Sequence, residues 1–211
     1  MNKLYRRLLD LCLKHKQHHL GSYFSSLPVI DEIFTKMNLD RDIFILSSGH
    51  AALALYVVLE KHYGFDAEEM LLNCGEHPKL DVSKKIFCST GSLGMGFPVA
   101  VGRAIADPTR KVYCLISDGE CGEGSIWEAM QHTQKLDVSN LDLYVNLNGV
   151  AAYGLVDEDS LSRRLISFMP SIQIRHTDAT VFSLFEGIDS HYKTLNVEDY
   201  KKVVREIEES I

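Results

Sequence analysis

Along the chain, segments with helical spacing of apolar residues alternate with short apolar runs rich in β-branched and aromatic residues. Residues 3–17, 27–37, 98–106 and 123–135 read as helices. Residues 50–63 form an Ala/Leu-rich helix that ends at Gly64, suited to a left-handed cap. The run Ile-Phe-Ile-Leu at 43–46 reads as a short buried strand or bend, and KVYCLI (111–116), LDLYVN (141–146) and SIQIRH (171–176) read as strands. A charged terminal helix with a solvated face follows over 197–210. Strands alternating with helices in this way predict an α/β fold: a parallel sheet flanked by helices on both faces. No repeat, low-complexity stretch or linker interrupts the pattern, which predicts a single domain over residues 1–211. In such sheets ligands gather beyond the carboxyl ends of the strands, so the segments after 116 and after 146 are the first candidates for a site.

Composition narrows the class. The net charge of −7 argues against a general nucleic-acid binder, which needs a basic face. No apolar run reaches membrane-spanning length, and MNKLYRRLLDLCLKH reads as an amphipathic first helix, not a signal peptide. The five cysteines are scattered, odd in number and never in C-x-x-C spacing, which predicts neither a disulfide framework nor a structural zinc site and places the chain in a reducing cytoplasm. Cys121, beside the motif described next, reads as a small neutral filler.

The segment Ser117-Asp118-Gly119-Glu120-Cys121-Gly122-Glu123-Gly124 follows a strand and opens a helix. Asp118 at the strand end offers a carboxylate to a hard cation, the glycines permit close backbone approach, and the helix start presents free N–H groups to an anion. Thirty residues on, the next strand ends in Asn146-Leu147-Asn148-Gly149. One strand-helix-strand unit separates Asp118 from Asn148, which puts both at the same sheet edge. An Asp, an Asn and a backbone carbonyl, completed by two diphosphate oxygens and a water, satisfy octahedral Mg²⁺. Asp-Gly and Asn-Gly taken singly are equally turn dipeptides; the pair at this spacing is what points to a metal and a diphosphate.

These residues carry a family resemblance. The SDG…NG pair resembles the thiamine diphosphate signature, and LSSGHAALALY (46–56), EHP (76–78), STGSLGMGFPVAVGRAIA (89–106) and EGSIWEAM (123–130) resemble successive blocks of the transketolase family, in order. QHHLGSYFSSLPVIDEIF (17–34) resembles the opening block and LFEGIDSHYKTLNVEDYKKV (184–203) the closing stretch, so the likeness spans roughly residues 12–205. It implies the thiamine-diphosphate-binding fold, thiamine diphosphate and Mg²⁺ as cofactors, and transfer of a two-carbon ketol unit from a ketose to an aldose. It implies that Asp118, Asn148 and the carbonyl of Val150 hold Mg²⁺, and that Gly119 and Glu120 are among the cofactor contacts. His50 corresponds to a histidine near the cofactor, while His19 and His77 correspond to histidines that bond the donor's hydroxyls. His191 corresponds to one near the diphosphate and the reacting carbons. Gly91, Ser92 and Leu93 fall in the loop that passes the cofactor's rings, and Glu123 matches a glutamate at a contact between subunits. Independently, a ketose with several hydroxyls and a carbonyl suits imidazoles, which donate, accept and shuttle protons near neutral pH. His15, His18, His62, His132 and His176 fall outside this pattern and read as structural or exposed.

Transketolases continue into a pyrimidine-binding domain, which supplies a catalytic glutamate, and a C-terminal domain. The chain stops before either, and its tidy terminal helix implies that the missing half is a separate partner subunit, with two copies of each chain in a heterotetramer. Other departures are Ser117 for the usual glycine, Ala152 for a larger aliphatic group, Tyr153 for an acidic residue, and Asp178-Ala179-Thr180 in place of a glycine-rich stretch. Between Gly154 and Ser171 the chain reads as much shorter than its relatives, lacking a helix and the strand before it that they carry. The alternatives are the α chain of a 2-oxo acid decarboxylase or dehydrogenase, and a non-catalytic chain that only binds the cofactor. No G-x-G-x-x-G follows the first strand, which disfavours a dinucleotide-binding module.

Overall fold

The computed structural model of this chain describes residues 1–151, 154–178, 182 and 193–209. Two helices come first, α1 (Asn2–His15) and α2 (Leu20–Lys36), followed by strand β1 (Ile43–Leu46) and helices α3 (Ala52–Tyr63), α4 (Ala67–Cys74) and α5 (Gly96–Ala106). Then come β2 (Val112–Ser117), α6 (Gly124–Lys135), β3 (Leu141–Leu147), the two-residue strands β4 (Val150–Ala151) and β5 (Gly154–Leu155), α7 (Glu158–Phe168), β6 (Gln173–His176) and α8 (Val197–Glu209). The main sheet has the order β1-β2-β3-β6, with every neighbouring pair parallel. The fold class read from the sequence is therefore the one observed.

Alternation along each strand explains the layers. Phe44, Leu46, Tyr113, Leu115 and Tyr144 point into a core shared with α1, α2, α3 and α4, onto which α8 adds Val203 and Ile207. The intervening residues Ile43, Ile45, Val112, Cys114, Ile116, Leu143 and Val145 point the other way, into a core with α5, α6 and α7. Each buried leucine or valine side chain contributes about 1.5–3 kcal/mol of transfer free energy, so a strand with residues on both faces is anchored twice. Among the described residues no helix is long and apolar enough to cross a membrane.

Beyond shifts of one or two residues at element ends, three features add to the sequence reading. α2 begins at Leu20, not 27, and carries Pro28 inside it. Burial of Leu20, Tyr23, Phe24 and Leu27 on this first half outweighs the missing proline donor. The short helix α4 is not foreseen; Asp66 caps it by accepting from Glu68 N–H (2.8 Å) and Glu69 N–H (3.1 Å). The 154–171 segment, read as shorter than in its relatives, still carries a helix, α7. Asp157 accepts from Ser160 N–H at 2.9 Å, and Leu161 and Leu165, four apart, are its buried stripe. Gly64 does cap α3, at φ 72°.

Candidate functional site

Because the four strands run parallel, Ser47, Asp118, Asn148 and Thr177 all follow strand ends on one edge, and a cavity of about 190 Å³ opens there. Its floor is polar and comes from β2, β3 and α2. Asp118, 4% exposed, accepts from Gly119 N–H (2.9 Å) at Oδ1 and from Asn148 N–H (3.1 Å) and Gly149 N–H (2.8 Å) at Oδ2. The carboxylate thus ties the end of β2 to the turn after β3. That turn needs Gly149, whose φ of 79° disfavours a side chain. Burial pushes the Asp118 pKa up to about 6, and the backbone donors pull it only partly back.

Asn146 and Asn148 join this floor to α2. Asn146 Nδ2 donates to Ser25 Oγ and Ser26 Oγ, both at 3.0 Å, and its Oδ1 accepts from Thr177 Oγ1 at 2.5 Å. Asn148 Nδ2 donates to Ser25 Oγ (3.0 Å), while its Oδ1 accepts from Val150 N–H (3.0 Å) and keeps one lone pair. Ser26, Asn146, Asn148, Val150 and Gly119 line the cavity with Asp118.

The rim is built from loops and helix ends. His19 precedes α2 in a left-handed conformation, φ 61°. Its ring centroid lies 5.6 Å from that of His50 and 6.3 Å from that of His77. The loop bearing His77 is fixed by Tyr56 Oη–H donating to Gly75 C=O (2.9 Å) and by Gln17 Nε2–H donating to Glu76 Oε1 (3.0 Å). Gln17 is buried and also accepts from Tyr23 Oη–H (3.2 Å), so one amide links the His19 and His77 loops. Gly91 and Leu93 complete the rim; a Cβ on Gly91 would stand 3.1 Å from the His77 ring, so the loop passes as close as glycine allows.

Of the residues singled out from the sequence, His19, His50, His77, Gly91, Leu93, Asp118, Gly119, Asn148 and Val150 meet around this one cavity. Ser92 and Glu123 are exposed and lie off its lining. Glu120 corrects its expected place among the cofactor contacts: it is fully buried behind the cavity, where its carboxylate is occupied by donors from the protein itself. His191, Ala152, Tyr153, Ala179 and Thr180 lie outside the described residues. The sequence reading assigns no role to Ser22, Ser25, Ser26 or Asn146. The available signal is the i, i+4 pair Ser22 and Ser26 in an apolar helix, a polar stripe where a core stripe is expected.

A divalent cation fits this floor. Asp118 is a buried carboxylate that, among the described residues, forms no ion pair, an arrangement whose charge is costly without a positive partner. Among the described residues no group of three or more His, Cys, Asp or Glu side chains is placed to hold a metal. One carboxylate, one amide oxygen and one carbonyl, all hard oxygen donors, instead suit an ion that shares its coordination with a phosphate ligand.

Comparison with known proteins gives this geometry its family. Residues 8–165 match the family described as "Transketolase, thiamine diphosphate binding domain". The chain is 30% identical over 259 residues to one of the subunits of apulose-4-phosphate transketolase from Phocaeicola vulgatus, covering 98% of this chain and 92% of that protein. That alignment is longer than the chain, so the relative carries residues missing here. Human transketolase is 40% identical over 125 residues, 53% of this chain but 19% of its own length. Among solved structures, transketolase from Leishmania mexicana superposes with a TM-score of 0.77 at 20% identity over 98% of this chain and 40% of that one, a likeness of fold. With its parallel sheet, its polar floor at the strand ends and a family match across most of its length, the chain belongs to the transketolase family and carries that family's thiamine diphosphate binding domain.

Proposed function

We propose that this chain is the diphosphate- and Mg²⁺-binding subunit of a two-chain transketolase that moves a two-carbon ketol unit from a ketose phosphate to an aldose. The observation that carries the reading is Asp118: a buried carboxylate without an ion-pair partner among the described residues, bonded across two adjacent strand ends. Asp118 Oδ1, Asn148 Oδ1 and the Val150 carbonyl would hold Mg²⁺, which would hold the cofactor's diphosphate. Gly91 and Leu93 would flank the cofactor's rings. When bound, thiamine diphosphate supplies the nucleophilic carbon that cleaves and forms carbon–carbon bonds. His19, His50 and His77, with His191, would orient the donor's hydroxyls and hold or return protons at its oxygens. The partner would bring the pyrimidine-binding half and the catalytic glutamate, two copies of each chain assembling together.

The Phocaeicola vulgatus relative, named as one subunit of an apulose-4-phosphate transketolase, supports both a separate partner and a sugar phosphate as donor. The test is turnover by the chain purified with its partner, supplied with Mg²⁺, thiamine diphosphate, an aldose phosphate to accept the two-carbon unit, and a panel of ketose phosphates that includes apulose 4-phosphate. Consumption of at least one with release of a shortened aldehyde or ketone is expected. Consumption of 2-oxo acids with every ketose inert would overturn the reading in favour of a 2-oxo acid enzyme.

A further inference from the structure

We infer that Glu120 is a positioning residue: it clamps the loop carrying Gly91 and Leu93 against the strand end carrying Asp118 and so sets the cofactor cleft without touching the cofactor. The inference rests on the cavity being the diphosphate site. Glu120 is 0% exposed and absent from the cavity lining, yet its carboxylate joins three separate segments. Oε1 accepts from Ser47 Oγ–H (2.6 Å), just beyond β1, and from Gly94 N–H (3.0 Å), in the loop before α5. Oε2 accepts from Ser117 N–H (3.1 Å) at the end of β2. Ser47 Oγ accepts in turn from Phe97 N–H at 3.2 Å, which draws the first turn of α5 into the same knot.

The other side of the Gly94 peptide is held as well, since Ser125 Oγ–H on α6 donates to Gly94 C=O at 2.8 Å. Contacts here leave no slack. A Cβ on Gly94 would lie 2.7 Å from Glu123 Cβ, and one on Gly96 would lie 2.6 Å from Ser47 Cα. The loop can therefore move relative to Asp118 only if the clamp opens. A carboxylate is the group that fits, because all three neighbours donate. An amide of the same shape would turn its NH₂ toward at least one donor and leave that contact repulsive. A buried group that only filled space would not need acceptor capacity on both oxygens.

The test is titration of thiamine diphosphate, with Mg²⁺ in excess, into the full-length chain together with any partner that copurifies, read by calorimetry, with melting temperature measured in parallel. Glu120→Gln is expected to weaken the cofactor about tenfold, the effect of one lost charged hydrogen bond and its replacement by a repulsion. It should also raise amide hydrogen exchange over residues 91–96. Leu165→Ala, truncating a buried core side chain on α7, should lower the melting temperature at least as much yet leave cofactor affinity within about twofold, since Leu165 makes none of the clamp's hydrogen bonds. Ser125→Ala, half-buried and mild, releases only the carbonyl end of Gly94 and is expected to weaken the cofactor about threefold, which keeps the question open to measurement if Glu120→Gln fails to fold. Wild-type affinity in both clamp variants, or an equal loss in Leu165→Ala, would overturn the clamp. Asp118→Asn separates the two layers. If it abolishes binding while the clamp variants bind normally, only the clamp fails; if Asp118→Asn itself binds normally, the diphosphate reading fails and takes the clamp with it.

Discussion

The floor and the rim of the cavity are held by different means. The floor residues Asp118, Asn146 and Asn148 sit at the ends of hydrogen-bonded strands, and their side chains close a buried network with Ser25, Ser26 and Thr177. The rim residues His19, His50 and His77 sit on helix starts and loops, and His77 is exposed. A floor side chain is thus at once a structural bond and a proposed ligand, whereas the exposed His77 side chain can be exchanged with little structural consequence. Stability and activity should therefore fall together at the floor and separate at the rim.

The largest effect should come from Asp118→Ala. It removes the proposed metal ligand and strands the N–H groups of Gly119, Asn148 and Gly149. Cofactor affinity measured in Mg²⁺ should fall by at least about a hundredfold, and the melting temperature should drop, each orphaned buried donor costing about 1–3 kcal/mol. Unchanged affinity would remove the metal from this floor.

Asn146→Ala sharpens the contrast, because Asn146 has no assigned ligand role. Its amide satisfies Ser25, Ser26 and Thr177, and truncation should cost about 1–3 kcal/mol in denaturant unfolding. Cofactor affinity should fall in step as α2 loosens from β3. A full stability loss with unaltered affinity would mean that α2 and the floor are energetically separate.

At the rim, His77→Gln should reverse the pattern. The side chain is exposed, so unfolding free energy should stay within about 0.5 kcal/mol. Turnover of the ketose donor should drop about tenfold, the value of one hydrogen bond to a neutral hydroxyl, while cofactor affinity holds. A matching loss of stability would erase the distinction between the two walls.

The same distinction explains what was legible in the sequence. The four strands, the parallel sheet and the Asp118–Asn148 pair follow from apolar runs and from one spacing, since a strand-helix-strand unit returns the chain to the same edge whatever its side chains do. The rim histidines carry no periodic signal, and family likeness alone singled them out. What sequence reasoning misplaced is tertiary in origin. Glu120 stands in a motif rich in ligand-type residues, yet donors 26 and 73 residues away turn it inward. The first half of α2, which carries Pro28 within the helix, lies outside the 27–37 reading because the burial of Tyr23 and Phe24 that outweighs the proline lies in contacts with other elements. The serines of α2 look like poor helix formers until Asn146 is placed beside them.

The smallest effect tests whether α2 belongs to the floor or to the rim, since it carries Ser26 and follows His19. Arg175 on edge strand β6 forms a two-pronged pair with Glu32 on α2, at 2.8 and 2.6 Å, with Lys36 adding a third contact at 2.5 Å. The Arg175 guanidinium holds the Glu32 carboxyl down to about 2, against 4.5 for the free group. A carboxyl with a depressed folded pKa stabilises fully above its unfolded value, so this contribution is present above about pH 4.5 and is lost as pH falls toward 2. Because the pair is partly open to water, screening reduces its worth to about 1 kcal/mol at neutral pH. Glu32→Gln should therefore lower unfolding free energy by about that amount at pH 7 and flatten the acid limb of the stability curve between those values. If α2 is part of the floor, the variant's cofactor affinity should also slip, by about twofold at pH 7, because loosening α2 at its C-terminal half shifts Ser25 and Ser26 under the two asparagines. If affinity holds while the acid limb flattens, the serine bonds alone seat the helix, and the floor ends at Ser26 with the Glu32–Arg175 pair serving only the sheet edge.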